Sequence, residues 1–320
     1  RLCAHRCVVK PGKRGVCAVR ENRKGRLVTL VYGEVVAAHV DPIEKKPLYH
    51  FYPGSKALSI ATQGCNFRCG FCQNWQISQS PRRKGGGIAG EPFPPEAVVR
   101  AALDQGCRSV SYTYTEPTIF FEFALDIARL ASPRGLRNIF VSNGYMTEEC
   151  LKEIYPNLHG ANVDLKAFSD KYYKDLCGAK LEPVLKTLEL MKKMGVWLEV
   201  TTLLVPGLND SKEELKRLAE FLVALDPDIP WHISRFHPTY RLMNVRSTPP
   251  ESIRKAKDIG YEAGLKYVYT GNLPGDDGEK TYCHQCKELL IDRYGFYVRK
   301  NAIAHSRCPK CNAEIPGVWE

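Results

Sequence analysis

Short apolar stretches alternate with longer amphipathic ones along most of the chain. The apolar stretches, rich in Val, Ile, Leu, Phe and Tyr, predict six β-strands. These strands are expected near residues 57–62, 108–115, 137–142, 161–165, 197–205 and 230–236. A further strand-like segment, residues 266–269, follows the last predicted helix.

The segments between the strands have the spacing and boundary residues of helices. The first starts at Pro94-Pro95 and stops at Gly106, and another opens with the capping box Ser211-x-x-Glu214. Six strand–helix units in succession imply right-handed parallel crossovers and therefore an α/β fold. In such folds ligands bind at the carboxyl ends of the strands, so we expect the functional residues there.

The composition is that of an ordinary globular protein, except for the number and clustering of its cysteines. The chain has 320 residues, 44% hydrophobic and 25% charged, with no apolar run long enough to cross a membrane and no recognisable signal peptide. Thirteen cysteines cluster in short pairs and triplets, which is typical of metal binding in a reducing compartment. We therefore expect a cytoplasmic, metal-binding enzyme.

The formal net charge is +11. Thiolates that hold metals would offset part of it, and the remaining cations are spread along the chain. This charge is compatible with RNA or with an acidic protein surface, and it identifies neither.

The first strand is followed by three thiols with C-x3-C-x2-C spacing, at Cys65, Cys69 and Cys72. Close spacing lets one loop wrap one inorganic centre. A four-iron cluster bound by three cysteines has one iron left for a non-protein ligand. The alternatives are a zinc knuckle completed from elsewhere and plain buried cysteines.

The spacing resembles the cluster motif of the radical S-adenosylmethionine (SAM) superfamily. Four other segments of the sequence resemble the AmmeMemoRadiSam branch of this superfamily, which is similar to pyruvate formate-lyase activating enzymes. These segments are Asp41–Pro47, Gly64–Phe67, Cys72–Asn74 and Ile315–Trp319. The resemblance implies a partial (β/α)6 TIM-like barrel, a [4Fe–4S] cluster, and reductive cleavage of SAM to a 5'-deoxyadenosyl radical. It also implies three parts: a Cys-rich metal-binding segment (1–50), the radical SAM core (51–272) and a zinc-ribbon-like domain (273–320).

The same resemblance implies which residues meet SAM. Glu116, in a Glu-Pro pair that lacks the family's glycines, would bind the SAM ammonium group; the alternative is that it only favours the start of the helix that Pro117 opens. Lys166 would meet the SAM carboxylate or the substrate, and Asp164 the ammonium or ribose. An Asn-Gly turn and a surface ion pair are the alternatives for the third and fourth strand ends. The full set is Phe71, Thr115, Glu116, Ser142, Asn143, Asp164, Lys166 and Val205.

Partners follow from the resemblance as well. An electron donor such as flavodoxin or ferredoxin is expected, and a protein is one candidate substrate. The chain lacks the inserted ferredoxin of some activases, so a glycyl radical enzyme is not specified as that substrate. The other hypotheses are an RNA-modifying enzyme of the same superfamily and an RNA- or protein-binding module with a structural cluster.

Two further cysteine groups lie near the ends of the chain. Two C-x2-C pairs predict a structural zinc site of Cys283, Cys286, Cys308 and Cys311. Near the start, Cys3, Cys7 and Cys17 predict a zinc site or a second cluster, with unliganded thiols as the third possibility. The basic, glycine-rich loop 79–90 is expected to be a lid, a contact for an acidic partner or a solvated linker.

Overall fold

The computed structural model describes residues 2–83, 85–273 and 275–320. In this part of the chain the strands are β1 (Arg20–Arg23), β2 (Arg26–Thr29), β3 (Glu34–Pro42), β4 (Lys56–Thr62), β5 (Glu91–Pro92), β6 (Ser109–Tyr112), β7 (Arg137–Ser142), β8 (Gly160–Asp164), β9 (Trp197–Leu204), β10 (Trp231–Arg235), β11 (Val268–Gly271), β12 (Thr281–Tyr282), β13 (Leu289–Tyr294) and β14 (Tyr297–Asn301). The α-helices are α1 (Trp75–Ser78), α2 (Pro95–Asp104), α3 (Phe121–Ala131), α4 (Glu148–Ile154), α5 (Asp170–Tyr172), α6 (Glu182–Lys193), α7 (Lys212–Leu225) and α8 (Pro250–Ala263).

The main sheet has nine strands in the order β11-β10-β9-β8-β7-β6-β4-β3-β5. From β4 to β11 neighbouring strands are parallel, whereas β3 pairs antiparallel with β4 and β5 with β3. The α/β class is confirmed. The parallel strands number seven in the described chain, one more than the six expected, because β11 continues the sheet beyond β10.

Register brings polar residues of neighbouring strands to one level of the sheet. Asp164 on β8 pairs with Thr201 on β9, and Thr201 pairs with His232 on β10. The row continues to Tyr269 on β11. Asp164 is the last residue of β8 and lies at the carboxyl edge, where sites in α/β proteins form, whereas His232 and Tyr269 are the second residues of β10 and β11.

The helices bury one face each against the sheet, as their sequences require. In α7 the hydroxyl of Ser211 accepts a hydrogen bond from the Glu214 amide, which confirms the N-cap half of the predicted capping box, whereas the Glu214 carboxylate accepts from the Phe168 amide. Leu215, Leu218 and Leu222 form its buried face. Gly260 lets α8 approach the buried ring of Trp231, whose nearest atom would lie only 3.0 Å from an added Cβ.

The two ends of the chain pack against the main sheet. Although β3 lies within the expected N-terminal segment, it is a strand of the main sheet. The C-terminal sheet, β12-β13-β14, shares an apolar cluster with Tyr49, Tyr267 and Tyr269. The boundaries proposed from the sequence at residues 50 and 272 therefore fall within parts of the chain that are in close contact.

Within the described residues, no helix is both long enough and apolar enough to span a lipid bilayer.

Candidate functional site

The loop that carries the three thiols leaves β4 through Gly64. This glycine has a φ of +97°, and a Cβ at its position would lie 2.6 Å from Val19. Only glycine fits such a backbone without strain. The fit holds the N-terminal segment against the start of the thiol loop.

Three further contacts fix the loop. The Arg82 guanidinium donates to the carbonyls of Val16, Cys65 and Phe67. His5 donates through Nε2 to the Asn66 carbonyl at 2.8 Å. Arg82, from the loop expected to be a lid, a contact for an acidic partner or a solvated linker, therefore has a half-buried structural role.

A short π-helix, Tyr173–Cys177, holds the other side of the loop. Its carbonyls at Leu176 and Cys177 accept from the backbone amides of Gly70 and Arg68, at 3.0 and 2.8 Å. Such π-turns occur frequently at functional sites. The thiol loop is thus clamped between the N-terminal segment and this π-helix.

Polar groups donate to the sulfurs. The Phe67 amide lies 3.3 Å from Cys65 Sγ, and the Asn143 side-chain amide lies 3.8 Å from it. The Ser78 hydroxyl lies 3.3 Å from Cys72 Sγ. Hydrogen bonds of this kind stabilise negative charge on sulfur and are one means of tuning iron–sulfur centres.

The thiols themselves favour the neutral form in the absence of a cation. Burial raises the pKa of Cys65 well above its usual value, and hydrogen bonding with Cys177 together with burial does the same for Cys69. Burial also raises the pKa of Cys72. A bound metal centre would supply the positive charge that converts such thiols to thiolate ligands.

A cavity of about 810 Å³ opens beside the loop at the carboxyl ends of the strands. Its lining contains all three thiols and most residues expected to contact SAM, namely Cys65, Cys69, Cys72, Phe71, Thr115, Ser142, Asn143, Asp164 and Lys166. Glu116 and Val205 are fully buried and lie outside this lining in the described chain. The structure thus brings nine of the expected residues to one cavity.

Glu116, whose expected contact with SAM stays a prediction, is held by donors of its own chain. One carboxylate oxygen accepts from the Thr118 amide and hydroxyl and from the Ser142 hydroxyl, and the other accepts from the Asn143 amide at 2.8 Å. Burial raises the pKa of this carboxyl, whereas these donors lower it. Glu116 therefore starts the helical turn at Pro117 and fixes the end of β7.

Asn143 links β7 to the thiol loop. Its side-chain amide donates to Asn66 Oδ1 at 2.7 Å, and its own Oδ1 accepts from the Tyr145 amide. The sequence predicted that Asn143 contacts SAM, but it did not predict the hydrogen bond to Asn66. The Asn-Gly turn alone carried no signal for it.

Asp164 and Lys166 share the cavity wall as an ion pair at 2.8 Å. The Lys166 side chain is only 12% exposed, and its ammonium lies 5.8 Å from the centre of the Phe71 ring. Burial alone would lower the pKa of Lys166, but Asp164 and the thiols of Cys69 and Cys177 raise it well above the usual value. The cavity therefore holds a permanent cation beside the thiols.

The opposite wall comes from the Asp41–Pro47 segment. Asp41 accepts from Lys45 at 2.8 Å and Lys46 at 2.6 Å and also from the Tyr114 hydroxyl. Burial lowers the pKa of Lys46 to about 8, although Asp41 opposes this. In the sequence this segment resembled the family, but no role in the site was predicted for its residues.

The C-terminal hairpin closes the same cavity. Its turn contributes Tyr294, Gly295 and Phe296 to the lining. Arg293 anchors the hairpin, since its fully buried side chain donates to the Tyr49 carbonyl at 2.6 Å and lies over the Tyr49 ring. This wall combines residues from opposite ends of the chain, so no local sequence pattern could predict it.

His232 also lines the cavity and is held by a buried carboxylate. Its Nε2 lies 2.6 Å from Glu199, which also accepts from the backbone amides of Tyr49 and His50. Burial tends to raise the pKa of Glu199, but His232 and these donors keep it below the usual value. The pair gives the cavity a fixed polar group away from the thiols.

Four cysteines converge at the C-terminus. The Sγ atoms of Cys283 and Cys311 lie 3.6 Å apart, and those of Cys286 and Cys308 lie 3.7 Å apart. Within residues 2–83, 85–273 and 275–320, this is the only group of three or more potential ligand atoms that all lie within 4.8 Å of one another. A tetrahedral ion with bonds of about 2.3 Å requires sulfur separations of about 3.7 Å.

The two halves of this group have matching backbones. Cys283 and Cys308 each donate to the residue five positions later, at 2.8 and 2.9 Å. The residues after the second cysteines, Lys287 and Asn312, have φ values of +61° and +62°. This repeated turn aims both thiols of each pair at a common centre.

The structure does not bring Cys3, Cys7 and Cys17 into such a group. Cys3 pairs with Met146 in a backbone bridge, Cys7 is exposed and Cys17 is buried. His5, a potential fourth ligand, already binds the thiol loop. The three thiols therefore do not form a ready metal site in this structure, and a metal bound by Cys3, Cys7 and Cys17 stays a prediction.

Part of the basic loop 79–90 packs against aromatic side chains. Arg83 lies over the ring of Trp75, 4.7 Å from its centre, and Trp75 stacks on Tyr240. Lys84 lies outside the described residues.

Comparisons with known proteins agree with this geometry. A model of the radical SAM superfamily matches residues 59–222. An uncharacterized protein of Methanocaldococcus jannaschii is 44% identical over 98% of this chain and 93% of its own length. The pyruvate formate-lyase-activating enzyme of Clostridium pasteurianum is 25% identical over 53% of this chain and 70% of its own.

Solved structures share the fold. A radical SAM methyltransferase from Sphaerobacter thermophilus superposes with a TM-score of 0.54 at 17% identity, over 69% of this chain and 67% of its own. SuiB of Streptococcus suis, bound to S-adenosylmethionine, gives 0.53 at 15% identity, over 72% of this chain and 53% of its own.

Proposed function

This chain belongs to the radical SAM superfamily, and on that premise we propose that it cleaves SAM reductively at a [4Fe–4S] cluster held by Cys65, Cys69 and Cys72. When bound, such a cluster supplies the electron that breaks a carbon–sulfur bond of SAM, yielding methionine and a 5'-deoxyadenosyl radical. The observation that carries the proposal is the convergence of the three thiols and a buried cation–carboxylate pair on one cavity.

The donor set fits this group. Three thiols with hydrogen-bond donors aimed at two of the sulfurs can hold a cluster while leaving one iron for the amino and carboxylate groups of SAM. Lys166 would neutralise the SAM carboxylate, and Asp164 would accept from its ammonium or ribose. Phe71 would pack near the adenine. Glu116 acts here through Ser142 and Asn143, which it holds in place.

The rest of the cavity is the proposed substrate site. Ligand cavities typically measure roughly 300–1,000 Å³, so about 810 Å³ leaves room beside SAM for part of a second molecule. The wall made by Lys46, His232 and the hairpin turn at Tyr294 would contact it. A protein is the proposed substrate class, because one relative of this chain is an activating enzyme named for the protein it activates.

The finer architectural assignments belong to the same proposal. The parallel strands would form the partial (β/α)6 barrel of the superfamily, lengthened by β11. The four C-terminal cysteines would bind a structural Zn²⁺, since four thiolates leave no open position for water. A reducing, cytoplasmic location suits both centres.

Anaerobic reconstitution with iron and sulfide tests the cluster assignment. The wild-type protein should bind about four irons per chain at this site, and SAM should change the electron paramagnetic resonance spectrum of the reduced protein. Cys69→Ala should lose both the iron and the spectral change, while Cys107→Ala, far from the cavity lining, should keep them. A cluster that is present but insensitive to SAM would support a structural centre in a binding module.

A further inference from the structure

The C-terminal hairpin presents an open strand edge beside the cavity of about 810 Å³. Among the described strands β14 pairs with β13 alone, and four of its five residues are exposed. No described loop hydrogen-bonds to the outer edge of its backbone. In an antiparallel edge strand alternate amides and carbonyls point away from the sheet, so this edge can pair with a further extended chain.

The strand β14 starts at the mouth of this cavity. The turn before it places Tyr294 and Phe296 in the cavity lining, although these residues are also 61% and 49% exposed. Tyr297, the first residue of β14, is 70% exposed. Arg293 anchors the turn from the buried side. A strand of five residues is about 17 Å long, so a chain paired with β14 would reach the cavity within a few residues.

The charges on this edge favour an acidic partner. Arg299 and Lys300 are exposed, and neither forms an ion pair with another described residue. Arg299 lies over the ring of Tyr294, and Asp292, opposite Lys300, lies 3.5 Å from Lys280. Two such basic edges would repel each other, which disfavours pairing with a second copy of this chain. An acidic segment would instead be attracted.

Building on the function proposed above, we propose that β14 docks the protein substrate by adding an extended, acidic segment of that protein to the C-terminal sheet. Main-chain hydrogen bonds along β14 hold the segment, and the exposed aromatic rings of the turn contact its side chains. The residue to be modified lies a few positions beyond the paired segment, where the substrate chain reaches the cavity. A nucleic acid has no peptide backbone to continue the ladder, so this edge favours protein over RNA.

The test begins with random dodecapeptides displayed on phage and selected anaerobically on the protein loaded with iron and zinc. The synthetic consensus peptide is the probe. It should contain Asp or Glu, and it should slow hydrogen–deuterium exchange of the β14 amides, measured by mass spectrometry. N-methylation of alternate peptide residues, those whose amides point towards β14, should raise the Kd about tenfold. N-methylation of the intervening residues should leave the Kd unchanged.

A charge reversal on β14 tests the acidic preference. Arg299→Glu with Lys300→Glu should raise the Kd for the same peptide about tenfold. The matched control reverses two exposed cations on helices, Arg217→Glu on α7 with Lys255→Glu on α8, and so changes net charge equally. The control should retain wild-type binding. Equal loss in both variants would assign binding to overall charge and overturn the proposal.

The backbone measurements give the other decisive outcomes. A peptide that leaves exchange of the β14 amides unchanged, or that binds equally well with either set of its amides methylated, would overturn the proposal. So would binding of oligouridine, and of no selected peptide, to this edge. Peptide binding requires no SAM cleavage, so absence of SAM cleavage with dithionite in the wild type would reject the proposed function alone.

Discussion

Four hydrogen bonds converge on the carboxylate of Glu116, from the amide and hydroxyl of Thr118, the hydroxyl of Ser142 and the amide of Asn143. In Glu116→Gln one oxygen becomes an NH2 group that faces a donor. A buried group left unsatisfied costs about 1–3 kcal/mol. We therefore expect the melting temperature to fall by about 2–6 °C, as measured by anaerobic differential scanning calorimetry. A fully stable variant would show that these donors contribute little.

Lys166→Met separates ligand binding from folding at the same site. The ammonium lines the cavity, and a hydrogen bond to a charged group is worth roughly 1.5–3 kcal/mol. SAM affinity should fall roughly tenfold to a hundredfold, with iron content and melting temperature near those of the wild type. Unchanged affinity in calorimetry would mean that SAM does not use this cation.

His50 should make stability pH-dependent. Burial lowers its pKa to about 4, and the ring lies between the Pro316 carbonyl at 2.7 Å and the Tyr269 hydroxyl at 2.6 Å. The unfolded chain takes up its proton near pH 6.5 and the folded chain does not, so stability is complete above pH 6.5 and is lost as the pH falls towards 4.

The predicted loss between pH 7 and pH 5 from this group is about 2 kcal/mol. Urea unfolding of the wild type and of His50→Gln at both pH values measures it, because other titrating groups cancel in the difference. Equal pH dependence in the two proteins would contradict a neutral buried His50.

Candidate metal ligands could be predicted from the sequence where the spacing of the cysteines is itself typical of a metal site. The C-x3-C-x2-C loop and the paired C-x2-C motifs each place ligands locally, so the sequence indicated them. Glu116 could not be resolved in this way, because only the folded chain shows that two of its four donors, Ser142 and Asn143, come from the end of β7. Arg82 and Cys177 likewise act on the thiol loop from separate elements.

At the scale of elements, hydrophobic periodicity predicted the parallel strands and the helices between them. The strand β3 was missed as part of the sheet, because its pairing with β4 depends on a partner rather than on its own pattern. The hairpin β13–β14 lies between the two C-x2-C pairs. Its turn at the cavity, however, depends on the anchoring of Arg293 against Tyr49.

This anchoring makes the C-terminal element part of the cavity. Cys286→Ser weakens one of the four proposed zinc ligands, and metal binding in so small a sheet would contribute directly to its folding. We expect loss of zinc with retention of iron at the three-thiol site, measured by plasma mass spectrometry. Cys7→Ser, at an exposed thiol outside the group, is the control and should retain zinc.

The consequence for the cavity follows from the same contacts. Release of the hairpin removes Tyr294 and Phe296 from the wall and exposes the apolar cluster that includes Tyr267 and Tyr269. Binding of a hydrophobic dye should increase in Cys286→Ser and not in Cys7→Ser. Loss of iron in proportion to zinc would show that the two metal sites depend on each other.

At the scale of the whole molecule, the cavity joins segments far apart in the sequence. Asp41–Pro47 from the N-terminal part, the strand ends of the core and the turn near Tyr294 meet around one space. Local patterns predicted the parts, but not this assembly, because the contacts between chain ends are set by packing of the complete fold. A substrate in the proposed site would therefore contact all three parts of the chain at once.

The central claim is that this space serves reductive cleavage of SAM. The most direct measurement is anaerobic incubation of the reconstituted protein with SAM and dithionite, with 5'-deoxyadenosine and methionine quantified by mass spectrometry. The account predicts both products in equal amounts from the wild type and neither from Cys69→Ala. Products from Cys69→Ala, or their absence from a wild-type protein that holds its full cluster, would contradict it.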